Sequence, residues 1–126
     1  MNFSKVIRLH DKFYLKENRY ERPKEMFIFL EKLIKKNNFH KKKLKVGDIG
    51  CSNGEFCYFL KKNFNNFNIH GYDILKDLVS KAKSKVRNVN FYQGSILNQN
   101  LINKNEFDII FCLGVISIFD SFETSI

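Results

Sequence analysis

The chain has 126 residues, of which 44% are hydrophobic and one is proline, and carries a formal charge of +9. That length suits one domain able to bury roughly two thirds of its extended surface, and the composition is neither that of a disordered linker nor that of a collagenous repeat. No apolar run approaches the roughly 20 residues of a membrane span, and Met1-Asn2-Phe3-Ser4-Lys5 leads into Arg8, Asp11 and Lys12 rather than a signal peptide's apolar core, so a soluble cytoplasmic protein is expected.

In chain order, residues 1–43 read as an N-terminal helical segment. Pro23 marks a helix start, and Met26, Phe27, Leu30, Leu33 and Ile34 follow at helical spacing with Glu25, Glu31, Lys32 and Lys35 outside. From Leu44 the pattern changes. Leu44, Val46 and Ile49 form a short strand core that ends in Asp48-Ile49-Gly50-Cys51-Ser52-Asn53-Gly54, after which Phe56, Phe59 and Leu60 return to helical spacing. A strand that breaks at glycines and opens a helix is a place where nucleotide-type ligands bind, because backbone amides at the helix start face outward and glycines admit close approach. Asn68 to Ile74 then reads as a second strand ending in Asp73, and Leu75 to Lys85 as a helix with Leu75, Leu78, Val79 and Ala82 on one face. Val89 to Gln93 is a third strand, followed by Gly94, Ser95 and Ile96. Phe107 to Leu113 is a fourth, apolar enough to be covered on both faces, and Gly114 opens the chain at its end. Alternation of strand and helix predicts a right-handed parallel α/β sheet of Rossmann-like type with its ligand at the carboxyl ends of the strands. No internal repeat is present.

The residues at the turn separate two kinds of nucleotide loop. A dinucleotide fingerprint G-x-G-x-x-G started at Gly50 would place Ser52 and Glu55 at its second and third glycines, and a glutamate there is unfavourable both in size and beside phosphates. The segment instead resembles motif I of the class I S-adenosylmethionine-dependent methyltransferases, D/E-x-G-x-G-x-G, met by Asp48, Gly50 and Gly54 and departing at Ser52. The resemblance extends over residues 44–126 and implies the first four strands of that fold with S-adenosyl-L-methionine as cofactor. It implies that the loop residues Gly50, Cys51, Ser52 and Gly54 line the cofactor. It implies further that Asp73 holds the ribose hydroxyls, Ile74 packs on the adenine, Ser95 and Ile96 contact the adenine edge, and Leu113 and Gly114 approach the methionine part. Asp48 has two readings, as an acid bonding the amides of the loop or as one orienting the amino-acid part of the cofactor. The family's sheet has seven strands and this sequence supplies four, so the resemblance also implies a fragment of a longer enzyme with the fourth strand at an uncovered edge.

Other features carry bland readings. Lys41-Lys42-Lys43 invites RNA, yet lysines are scattered along the chain without interleaved aromatics and read as a solvated face. Cys51, Cys57 and Cys112 lack metal or redox spacing and read as reduced, small, buried side chains. His10, His40 and His70 form no catalytic or metal-binding pattern, so no metal and no catalytic base is assigned. Phe56, Tyr58 and Phe59 read as packing. Tyr14 and Tyr20 fall in a segment that, by the resemblance, covers the cofactor. The expected activity is methyl transfer to a small molecule, with a saccharide precursor as a narrower option. RNA or protein methylation and a non-catalytic cofactor-binding module are the alternatives.

Overall fold

The computed structural model describes residues 14–16, 18–94 and 107–113. After helical residues 14–16 come α1 (Glu25–Lys36), β1 (Lys45–Ile49), α2 (Glu55–Asn63), β2 (Asn68–Asp73), α3 (Lys76–Lys85), β3 (Asn90–Gln93) and β4 (Ile109–Phe111), with a short 3-10 turn at Phe39–Lys41. All strand pairs are parallel, in the order β3-β2-β1-β4. The chain therefore steps outward from β1 through β2 to β3 and then returns to the other side of β1. In an open parallel sheet such a reversal leaves a crevice beyond the carboxyl ends of the two diverging strands, here β1 and β4. The loop 50–54 emerges from β1 at that point.

Period-two alternation explains how the sheet is clothed. On β2, Ile69, Gly71 and Asp73 are buried while His70 and Tyr72 are partly exposed. The first face joins Val46, Ile69 and Phe91 to Cys57 and Leu60 of α2 and to Val79 and Ala82 of α3 in one core. Gly71 is required by this packing, because a Cβ there would lie 2.8 Å from the ring of Phe91. The opposite face carries an aromatic layer. Tyr72 stacks on Tyr92 at 5.0 Å, His70 stacks on Tyr92 at 5.9 Å, and Phe107 meets both His70 and Tyr72 edge-on while covering Gly47.

The α1 helix docks on α2 through Phe27, whose ring is 4.8 Å from Phe56 and 5.7 Å from Phe59. Its buried side chains are Phe27 and Ile34, whereas Met26 and Leu33, expected inward from their spacing, are 55% and 45% exposed, with Phe29 beside them at 62%. The apolar arc of this helix is wider than the surface α2 offers it. Pro23 lies just before the cap residue Lys24 rather than at the first helical position. The fourth strand also departs from expectation: instead of a strand from Phe107 to Leu113 covered on both faces, regular pairing extends only over Ile109–Phe111, and Ile110 is 42% exposed. Its only partner is β1, so among the described residues it is an edge. Entry into it is fixed by Asp108, whose carboxylate accepts the Lys45 N–H at 2.7 Å while its own N–H donates to the Lys45 carbonyl at 2.8 Å. Among the described residues no helix is long and apolar enough to cross a membrane.

Candidate cofactor site

The turn after β1 is built from backbone conformations that few residues adopt. Gly50 has φ +75°, Ser52 +55° and Gly54 +84°, so the three motif positions are all left-handed. Gly54 is further confined, since a Cβ would lie 3.0 Å from the Phe91 ring and 3.1 Å from the Ala82 Cβ. Ser52 stands in the same conformation without glycine's freedom, which costs an L-residue roughly 1–2 kcal/mol. Its Oγ is also buried with no hydrogen-bond partner. Ser52→Gly is therefore expected to raise stability by about 1 kcal/mol, after allowance for glycine's larger unfolded-state entropy. A lower melting temperature for this variant would contradict that account.

Loop amides expected to face a ligand are in large part used internally. The Gly50 and Cys51 N–H groups both donate to the Tyr72 carbonyl, at 2.7 and 2.9 Å, and Gly54 N–H donates to the Cys51 carbonyl at 3.0 Å. Ser52 N–H donates to Asp73 Oδ2 at 2.8 Å, and the other carboxylate oxygen of Asp73 accepts Leu75 N–H at 3.1 Å. Asp73, 8% exposed, thus ties the loop after β1 to the turn after β2. Ile74 follows Asp73, partly exposed, with its carbonyl held by Gln93 Nε2 at 3.1 Å.

Asp48 does not bond the loop amides, which are taken by Tyr72 and Asp73. It lies beneath the loop, 2% exposed, and accepts a hydrogen bond from the Cys57 thiol at 3.3 Å. Burial pushes its pKa up to about 7, opposed by the Cys57 hydrogen bond and reinforced by the charge of Asp73. Burial, then the negative charges of Asp48 and Asp73, hold the Cys51 thiol well above its ordinary range, and burial with Asp48 does the same for Cys57. Both are protonated at neutral pH, which agrees with packing roles and not with nucleophiles. Cys112, expected buried, is exposed, because it follows the edge strand β4.

Asn53, Glu55 and Lys81 were not singled out by sequence as site residues, and with Tyr14 and Tyr20, expected in the segment over the cofactor, they form a network at the loop. Asn53 is fully buried. Its Nδ2 donates to Glu55 Oε2 at 3.0 Å and to the Tyr14 carbonyl at 2.9 Å, its Oδ1 accepts Glu55 N–H at 3.3 Å, and its carbonyl accepts the Tyr20 hydroxyl at 2.7 Å. Burial, and the nearby charge of Glu55, keep that hydroxyl protonated well beyond its usual range. Within the motif, Asn53 is a non-glycine position whose side chain has partners 39 residues away, and only Glu55 two residues on offered a local signal. The described residues thus bring together Asp48, Gly50, Cys51, Ser52, Gly54, Asp73 and Ile74, while Leu113 packs partly buried against the core just past β4. Ser95, Ile96 and Gly114 lie outside the described residues.

A family model described as a methyltransferase domain matches residues 40–124. Among solved structures, the chain is similar to CalS10, an amino pentose methyltransferase from Micromonospora echinaspora, at TM-score 0.66 and 15% identity, covering 82% of this chain and 43% of that one. It is similar to a TehB-like SAM-dependent methyltransferase from Corynebacterium glutamicum at TM-score 0.55 and 22% identity, covering 67% and 46%. It is similar to PKMT2 from Rickettsia typhi at TM-score 0.53 and 30% identity, covering 66% and 17%. The chain thus spans less than half the length of each of these proteins. No curated protein sequence matches it. With the glycine loop at the sheet's reversal point, Asp73 bonded to that loop, and a family match over most of its length, the chain belongs to the class I S-adenosylmethionine-dependent methyltransferases, whose cofactor is S-adenosylmethionine.

Proposed function

We propose that this chain binds S-adenosylmethionine across the loop 50–54 and takes part in methyl transfer to a small-molecule acceptor. The observation that carries the reading is the Ser52 N–H to Asp73 bond, which holds an acid beside a left-handed loop and beside the buried Ser52 hydroxyl, which has no hydrogen-bond partner. These groups suit a ligand rich in hydroxyls. Asp73 would accept from the ribose, Ile74 would lie against the adenine, and Gly50 and Gly54 would allow close approach of the amino-acid part. When bound, the cofactor supplies a methyl group already activated by its sulfonium. The task left to the chain is positioning, which by itself can provide effective molarities of about 10⁵–10⁸ M, with an acid or base required only where the acceptor arrives protonated.

A small-molecule acceptor is preferred to RNA on the placement of charge. Lys41, Lys42 and Lys43 are exposed ahead of the amino end of β1, whereas the loop leaves its carboxyl end. Five strand residues at about 3.3 Å each put the two on the order of 15 Å apart. A saccharide precursor is the narrower form of the proposal, and the amino pentose named for CalS10 supplies a first acceptor class to try. Calorimetry with S-adenosylhomocysteine is expected to show one site per chain and no comparable affinity for NADH. Labelled methyl transfer to amino sugars, against an RNA control, then tests the acceptor. Tighter binding of NADH would reject the cofactor reading, binding without turnover on any acceptor would favour a non-catalytic module, and label on RNA alone would replace the acceptor class.

A further inference from the structure

The segment ahead of α1 crosses the loop and is fastened at both ends. On the α2 side, the Tyr20 ring meets the Tyr58 ring edge-on at 5.8 Å, and Glu21 bonds both the Tyr58 hydroxyl and Lys62 Nζ. On the α3 side, Lys81 Nζ donates to the carbonyls of Tyr14 and Leu15 at 2.7 and 2.8 Å. Those carbonyls belong to the helical residues 14–16, ahead of the non-helical residues 18 and 19, so a cation there caps and neutralises carbonyls at a helix end. Between the two ends, Asn53 reaches up from the loop: the Tyr14 carbonyl takes its second hydrogen bond from Asn53 Nδ2, and the Tyr20 hydroxyl donates to the Asn53 carbonyl. A residue in the centre of the cofactor loop therefore holds both tyrosines of the segment.

We propose, resting on the cofactor reading above, that Lys81 and Asn53 are positioning residues that fasten the Tyr14–Tyr20 segment across the loop, so that attachment of this segment and occupancy of the cofactor site are coupled. Any ligand that moves the loop at Ser52 or Gly54 moves Asn53 with it, and through Asn53 the two tyrosines. Coupling of this kind is reciprocal: the factor by which fastening raises cofactor affinity is the factor by which cofactor must hold the segment down.

Lys81 is the residue to vary, because it is partly exposed on α3, whereas replacing the fully buried Asn53 risks the fold. In hydrogen-exchange mass spectrometry of the ligand-free chain, Lys81→Met is expected to speed exchange of the peptide spanning residues 14–22 about tenfold, with β1 and β2 unchanged, and Lys81→Arg to restore the wild-type rate. By calorimetry, Lys81→Met is expected to bind S-adenosylhomocysteine about tenfold more weakly, and that ligand to slow exchange of the same peptide in wild type. Equal exchange in Lys81→Met and wild type would overturn the fastening. Faster exchange with unchanged affinity would overturn the coupling. A wild-type chain that binds no S-adenosylhomocysteine would sink the cofactor reading and the coupling with it, while the ligand-free exchange rates would still decide the fastening.

Discussion

The wild-type chain is expected to lose about 1.4 kcal/mol of stability per pH unit as pH rises from 5 towards 7, and Asp48→Asn to abolish that slope. The cause is the burial of Asp48, which raises its pKa from 3.8 in the unfolded chain to about 7 in the fold. Between those values the native state binds a proton that the unfolded state has lost. Stability from this group is therefore complete below about pH 4 and is lost progressively until pH passes 7. Integrated over the window, the effect is on the order of 4 kcal/mol, a large share of a small domain's total. Cys57, Cys51 and Cys112 have pKa values raised further above the window, and Asp73 acts by adding to the upward shift. Asparagine keeps an oxygen able to accept the Cys57 thiol and removes the titrating group, so the slope with pH, rather than the absolute stability, is the quantity compared. Urea unfolding of both proteins at pH 5, 6 and 7 measures the two slopes, and a slope that persists in Asp48→Asn would place its origin elsewhere.

Asp73→Ala should be damaging in two separable ways. The carboxylate accepts N–H groups from Ser52 and Leu75, and its loss leaves both donors without that acceptor at a cost of roughly 2–4 kcal/mol in stability. Binding of S-adenosylhomocysteine should fall by an order of magnitude or more, because bonds from ligand hydroxyls to a charged acceptor are worth about 1.5–3 kcal/mol each. Asp73→Asn distinguishes the two effects. Its single carbonyl oxygen can keep one backbone donor, so the melting temperature should drop less than for alanine, while the loss of charge should weaken binding nearly as much. Wild-type affinity in either variant would remove Asp73 from the cofactor site and leave it as an anchor of the loop alone.

Much of the fold was legible because its signals are local. The spacing of Asp48, Gly50 and Gly54 after an apolar strand places a turn and a helix start by backbone geometry, and the alternation along residues 68–73 marks one covered face. Asp73 was visible as an acid ending a strand, although its bond to Ser52 N–H was not. The departure from glycine at Ser52 proved to be a serine held in glycine's conformation. Misreadings came where packing area, not periodicity, decides. Met26 and Leu33 have the spacing of core residues, but α2 presents too narrow a surface to receive them. Residues 107–113 are apolar enough for a central strand, yet β1 is their one described neighbour, and regular pairing stops after three residues.

By itself, then, the sequence determined the strand–loop–helix unit and the parallel α/β class, since each follows from residue types at short, fixed separations, while its resemblance to motif I pointed to the methyltransferase family. Tertiary structure alone decided what each polar group does. Asp48 meets Cys57 instead of the loop amides, Asn53 gathers Tyr14, Tyr20 and Glu55, and Lys81 reaches back across more than 60 residues to the carbonyl of Tyr14. Such partners are chosen by burial: once the sheet closes, an enclosed donor or acceptor pairs with whichever partner the fold brings near, as most do here, and chain separation carries no information about which that is.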